Sequence, residues 1–463
     1  MMSRARNHRK ILLISFCFIF FLSSLSLVKA ANQNSKINFA DENLEQVIKE
    51  KINKEKITKQ DLLGITSLKA RMVGIKSLEG IEQLSNLENL NLNYNQIEDL
   101  SPLSKLTKLK TLQLFSNQIT NIKPLSNLKN LEKLSVGHNK VGDITPLKNL
   151  TKLKVLGIRL KAVFKPCSYF SDLSPLSKLT NLEKLYLEGN PNIEDLTPLA
   201  NLTKLKKLKL DSIRNIKDIT PLANLNKLQL LEVSDTEVKD ISVLLNLDKL
   251  KRLSISNNKI RDITPLKNLN RLEFLSLYAN KVKNIDSLSD LTNLKYLNLR
   301  TNHIGEKDLT ALKNLTNLKV LDLKSNRITD TTALKNLTDL EYLSLSQNNI
   351  GGGLDELSKL TNLRKLRIKR NAVTDISAVA NMKKLKHLVA DHNAIRNIQA
   401  LEKLKNLEWA FLADNNISDI SPLSNLNKLK KVRLGKNELD INNNIEALRI
   451  VNNLRGQGVK VNY

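Results

Sequence analysis

One phrase constrains this chain more than any other feature. Leu269–Asn302 reads "LNRLEFLSLYANKVKNIDSLSD" and then restarts as "LTNLKYLNLRTN". The phrase is Leu, two variable residues, Leu, two variable residues, Leu-x-Leu, two variable residues, Asn, and its spacing here is 22 residues. It recurs from Leu84 through Leu106, Leu128, Leu150, Leu179, Leu202 and Leu225, and on to Leu404 and Leu426. A segment this short cannot bury its own apolar face, so successive copies must stack and share one core that grows along a single direction. Chain length then stops limiting the fold, and function has to reside in the variable positions that the stack leaves outside.

A period of 20–29 residues with this leucine and asparagine pattern marks a leucine-rich repeat solenoid. The expected architecture is α/β: a right-handed curved stack with a parallel, concave β-sheet, a helical N-terminal cap and a helix–strand C-terminal cap. Side chains alternate along a strand, so the two leucines of Leu-x-Leu point inward and the residues beside and between them point outward. The asparagine after the strand (Asn95, Asn117, Asn139, Asn258, Asn280, Asn302 and onward) is expected to turn inward and satisfy backbone groups where the chain bends. Pro102, Pro146, Pro175, Pro198, Pro221, Pro265 and Pro422 suit rigid turns on the opposite side, where no ladder donor is lost. Asp99, Asp143, Asp195, Asp262 and Asp419 just ahead of them are expected to stabilise those turns through their own carboxylates.

The ends differ in kind. Residues 1–30 read as a signal peptide: Arg4, Arg6, Arg9 and Lys10 precede the apolar run Ile11–Val28, and cleavage is expected near Ala31. That run is also near the lower limit for a membrane span, so an uncleaved anchor is the alternative. Residues 31–61 read as the first cap, with Leu44, Val47, Ile48 and Ile52 at helical spacing after Asp41 and a second short helix opening at Thr58. Residues 62–441 form the repeats, with an insertion at 164–172, and 442–463 the closing helix (Ile445, Leu448, Ile450, Val451, Leu454) and a strand at Val459–Val461. In the turns around the insertion the ladder asparagine is replaced by Lys161, Ile213 and Thr236.

Composition narrows function. Lys and Arg outnumber Asp and Glu 74 to 46, a net charge of +28, which favours anionic surfaces such as wall polymers or glycans. No nucleic-acid motif accompanies that charge. Of the two cysteines, Cys17 lies in the leader, so Cys167 has no intrachain partner and the fold does not rest on a disulfide. No HExxH or recognisable triad includes any histidine, and His387 with His392 is a weak metal pair. No catalytic residue, metal or cofactor is expected.

The cap and repeats together carry a resemblance. "INFADENLEQVIKEKINKEKITKQDLLGITSL" resembles the helical N-terminal cap of the internalin family of bacterial surface and secreted proteins. "NLNYNQIEDLSPLSKLTKLKTLQL" is similar to the internalin repeat, and "IEALRIVNNLRGQGVKVNY" to the end of such arrays. The resemblance covers nearly all of the chain after the leader and implies a binding protein that grips another protein on its concave sheet. The chain shows no LPxTG-like motif or apolar tail, so the expectation is a secreted form, or one held loosely at the cell wall by charge, and a monomer.

The aromatic residues sharpen this. Of the 14 after residue 31, eight fall on outward strand positions: Phe115, Tyr186, Phe274, Tyr278, Tyr296, Tyr342, Trp409 and Phe411. Arg367, His387 and Arg300 lie among them, the composition of binding hot spots. Phe164, Tyr169 and Phe170 in the insertion are candidates for a second contact loop, and the core is expected to use no aromatic. The expected function is binding of a host or bacterial-surface protein by the concave face. The alternative is an envelope-retained protein that holds anionic wall polymer or glycan through its basic surface.

Overall fold

The computed structural model describes residues 39–160, 170–440 and 444–463, without the side chains of 306–308. The leader, Lys161, Phe164, Cys167 and Tyr169 lie outside the described residues. The chain divides into two compact units, one ending at Asn190 and one beginning at Pro191.

The first unit opens with helix α1, Glu42–Ile52. Asp41 caps it, accepting from the N–H groups of Asn43 (3.0 Å) and Leu44 (3.1 Å). The other carboxylate oxygen of Asp41 accepts from Lys76 N–H at 2.7 Å, tying the cap to the first turn. Helix α2, Lys59–Leu63, starts on a Thr58/Asp61 capping box. Leu44, Ile48 and Leu62 are fully buried. Short strands then follow one per turn (Ser67–Lys69, Asn89–Asn91, Thr111–Gln113, Lys133–Ser135, Val155–Gly157 and Lys184–Tyr186), each parallel to the next.

The second unit repeats this plan. Its strands run from Lys207–Lys209 and Leu230–Glu232 to Lys431–Arg433, parallel and in strict register. Helix α3, Ile445–Gly456, closes it, followed by a last strand at Lys460–Asn462. That strand lies one residue later than expected, because Val461 pairs with Val432 in the ladder. The helix also differs from its sequence reading. Ala447, Ile450, Val451 and Leu454 are buried, whereas Ile445 is 85% and Leu448 39% exposed. Among the described residues no helix is long and apolar enough to cross a membrane.

The core is a column of aliphatic side chains. Leu291, Leu294, Leu297, Leu299 and Ile304 of one turn have no exposed surface, and the equivalent residues of other turns match them. Burying each such side chain is worth about 1.5–3 kcal/mol. The turns between strands contain short 3₁₀ helices, several with proline in their first positions, where the missing N–H costs no bond. Asp99, Asp143, Asp195, Asp262 and Asp419 each accept the N–H two residues on, at 2.8–2.9 Å.

The asparagines after the strands turn inward as expected. Asn95 Oδ1 accepts from Val73, Gly74 and Ile75 N–H, and its Nδ2 donates to Ala70 and Leu92 carbonyls. At the exceptions, Ile213 fills the space with an apolar side chain, and the Thr236 hydroxyl donates to the next ladder residue, Asn258. A second asparagine column was not singled out in the sequence. Asn86, Asn130, Asn293, Asn317, Asn362 and Asn406 each donate to a backbone carbonyl of the preceding turn at 2.7–2.9 Å.

The core does contain aromatics, against expectation. Phe39 is 6% exposed and lies so close to Gly80 (φ 100°) that any side chain there would meet its ring at 2.7 Å. Phe170 is 4% exposed and is therefore not part of a contact loop. It stands three residues before buried Leu173, the position that Ile97, Ile119 and Val141 hold ahead of Leu100, Ile122 and Ile144. The lengthened turn resumes the repeat at this residue, so the ring is core.

Candidate ligand-binding face

Strand alternation places the variable residues of the second unit in parallel rows on the face opposite the leucines. In the row before Leu-x-Leu, register runs Phe274, Tyr296, Val320, Tyr342, Lys365, His387, Trp409. Trp409 is 36% and Tyr278 37% exposed, and the other rings are half-buried, while the leucines beside them are fully buried. The row between the leucines holds Asn298, Asp322, Ser344, Arg367, Val389 and Phe411.

The rings stand against one another along the row. Phe274 stacks on Tyr296 at 4.2 Å between centroids and 10° between planes, and the Arg252 guanidinium covers Phe274 at 3.5 Å. Register places Arg252 and Tyr296 on opposite sides of Phe274, so both of its faces are occupied. His387 stacks on Trp409 at 4.2 Å, and Trp409 lies parallel to Phe411 at 5.9 Å. Arg433 sits 4.2 Å from the Phe411 ring and Lys365 Nζ 5.6 Å from Tyr342. Each cation over a ring contributes about 0.5–1 kcal/mol at such exposure. Phe274 is thereby left with only its edge uncovered.

Charge on this face is mainly positive. Burial holds the Lys324 ammonium below the usual lysine range, and the nearby cations Arg300, Arg367 and Lys369 add to the effect. His387 is lowered by burial first and then by Lys365. Burial raises the Tyr342 phenol, with Asp322 acting in the same sense. His392 pairs instead with Asp414, away from His387.

The first unit holds a smaller ring cluster around Phe115. Tyr94 meets it edge-on at 5.4 Å and His138 lies 4.3 Å away, with Arg71 over Tyr94 and Arg159 over Phe115. Tyr186 is half-buried on its strand. Tyr94 and His138 escaped the sequence reading because both occupy the left-handed position just before the ladder asparagine, at φ 60° and 54°. That column can be read from the sequence by counting one place back from each asparagine. Arg252, Lys431 and Arg433 were missed because a cation over a ring depends on cross-strand register.

An acidic group adds pH sensitivity. Burial pushes Asp211 up to about 6, and the charge of Glu232 works in the same direction, against the hydrogen bond from Ser234 N–H (2.8 Å). The native state therefore keeps a proton between about pH 4 and 6 that the unfolded chain releases, so this residue's contribution to stability falls as pH rises through that window. Asp211→Asn should flatten the slope and stabilise the fold at pH 7, by up to about 3 kcal/mol. Urea unfolding of both proteins at pH 4 and 7 measures it, and equal slopes would sink the assignment.

Comparison with known proteins agrees with this architecture. A family model described as "Leucine-rich repeat region" matches residues 303–457, and one for "Leucine Rich repeats (2 copies)" matches 85–127, 107–149, 167–201, 180–224 and 270–314. No curated protein sequence matches the chain. Among solved structures, an internalin (inlF) of Listeria monocytogenes is 35% identical, with 76% of this chain and 95% of that one covered and a TM-score of 0.62. A leucine-rich repeat protein of Leptospira interrogans shares the fold at 23% identity and TM-score 0.71, covering 88% of this chain and 97% of its own. The functional domain of InlJ from Listeria monocytogenes does so at 22% and 0.61, covering 85% and 79%. With its capped, asparagine-laddered turns and that degree of identity over nearly the whole of the inlF structure, the chain belongs to the internalin-like family of bacterial leucine-rich repeat proteins.

Proposed function

We propose that this chain is a secreted or surface-exposed adhesion or effector protein, and a binding protein rather than an enzyme. It grips another protein with the outward strand face of the Pro191–Tyr463 unit. The observation that carries the reading is the register row from Phe274 to Trp409, in which rings lie outside the aliphatic core. Half-exposed rings with arginines among them are the usual anchors of protein interfaces. Kinship with internalins supports the reading.

The alternative, a basic surface holding wall polymer or glycan, draws on the net charge of +23 that remains after the leader, with 69 basic residues against 46 acidic. It is weaker here, because a sugar stacks on an open ring face and both faces of Phe274 are occupied. The two readings separate by salt. The immobilised chain is incubated with host-cell and bacterial-envelope extracts at low salt and at about 1 M, where exposed charges are screened beyond about 3 Å. A protein partner retained at high salt supports the ring-face reading. Complete release, with wall polymer as the only ligand at low salt, favours charge.

A further inference from the structure

The middle of the ring row carries a cluster of four cations, of which Arg300 lies over a ring, 5.4 Å from the Tyr278 centroid, among the described residues. Arg300, Lys324 and Lys369 follow the inner aliphatic residues Leu299, Leu323 and Ile368 on three turns, and the backbone ladder continues alongside them: Thr301 N–H donates to Lys324 O, and Gln347 N–H to Lys369 O. Arg367 projects between the leucines of the same turn as Lys369. The Nε groups of Arg300 and Arg367 are both buried and have no acceptor within the protein. None of the four cations forms an ion pair among the described residues, whereas Arg252, Lys295, Arg364 and Lys386 nearby all do. Asp322 is the carboxylate acting on Lys324, and its Oδ1 already accepts from Lys324 N–H at 2.9 Å.

Such a cluster is costly in isolation. Like charges repel at short range, and a buried donor without an acceptor is destabilising. An arginine fork whose Nε is held out of bulk water suits a planar, two-oxygen acceptor, which it binds through two parallel hydrogen bonds.

We propose that Arg300, Lys324, Arg367 and Lys369 form an anion-recognition site for carboxylates of an acidic polypeptide segment, seated between the Phe274–Tyr296 and His387–Trp409 ring pairs. The inference rests on the protein-binding reading and specifies its ligand: a segment with Asp or Glu at its centre and apolar side chains on either side. Carboxylates are favoured over sulfated sugar because the flanking Phe274 ring has both faces covered and offers a sugar no open face to stack on.

The test titrates the full chain with a synthetic octaglutamate peptide and, separately, with a heparin-derived octasaccharide, following binding by calorimetry. Arg300→Gln with Arg367→Gln should weaken the peptide at least tenfold. Lys267→Gln with Lys335→Gln, which removes the same charge from exposed positions after the 3₁₀ turns, should change it less than twofold. Arg300→Lys with Arg367→Lys keeps the charge and removes the fork, and should fall between. Melting curves for each variant check folding, and the lysine pair decides the matter if the glutamine pair unfolds. The proposal is overturned if wild type fails to bind the peptide at millimolar concentration, if both glutamine pairs weaken it equally, or if the octasaccharide binds more tightly than the peptide. Partner capture lost with the ring residues but retained with the arginine pair would leave the protein-binding reading standing and reject this site alone.

Discussion

Replacing Phe274, Tyr296, Tyr342 and Trp409 together by serine is expected to abolish partner capture while shifting the melting temperature by only a few degrees. The asymmetry follows from where the rings sit. Each is outside the leucine column, so its loss opens no cavity in the core; the stability lost is the stacking of Phe274 on Tyr296 and of His387 on Trp409, about 0.5–1.5 kcal/mol per pair, and the cation contacts of Arg252 with Phe274 and Lys365 with Tyr342, about 0.5–1 kcal/mol each. A ring anchoring an interface loses about 2 kcal/mol or more on truncation, and since 1.4 kcal/mol is tenfold in affinity, four such losses weaken binding beyond ordinary detection even if they do not add fully. Pull-down and differential scanning calorimetry on the same preparation measure both halves. A variant that melts many degrees lower yet still captures its partner would make the rings structural.

Asn280→Ala carries the largest expected cost in stability, about 3–5 kcal/mol for the turns around it. Asn280 Nδ2 donates to the carbonyls of Ile255 (2.9 Å) and Leu277 (3.1 Å), and Oδ1 accepts from Ile260 N–H (3.1 Å). Alanine leaves the Ile255 carbonyl and the Ile260 N–H without this partner at a buried bend, while the Leu277 carbonyl keeps its bond from Asn302 Nδ2 (3.0 Å). Because stability in a repeat array is set turn by turn and between neighbours, the loss should concentrate at adjoining turns. Hydrogen exchange is the suitable readout, with Ile260 and its neighbours losing protection first. A change below about 1 kcal/mol, or one spread evenly along the chain, would mean the ladder is not what holds the bend. Asn280→Thr should cost less, since Thr236 already serves at this position by donating to Asn258.

The failures in the sequence reading share one cause. For Phe170 and Ile445 residue type misleads: an aromatic in an insertion suggests exposure, and an isoleucine at helical spacing suggests burial. In the structure Phe170 replaces an aliphatic residue three places before Leu173, and Ile445 is the first residue of α3, next to its cap Asn444 and 85% exposed. Tyr94 and His138 were overlooked because strand alternation describes only residues on the strand, and theirs is the left-handed residue that follows it. By contrast, Asn95, Asp99 and Pro102 were legible in full, since each role is local: an amide at a bend, a carboxylate two residues before an N–H, a ring where no donor is needed.

Period and residue chemistry were enough to establish the repeat, its inward leucines, the asparagine ladder and the row on which the rings lie, because each is dictated by spacing within one turn. Which side chains meet across turns was not contained in that spacing. The sandwiching of Phe274 by Arg252 and Tyr296, the pairing of His392 with Asp414, and the arginine Nε groups left without acceptors beside Lys324 all depend on how long side chains from adjacent strands divide the same few ångströms of space. That division is settled by packing and charge in the assembled sheet, where a residue's neighbours lie 22 positions away in the chain and less than 5 Å away in space.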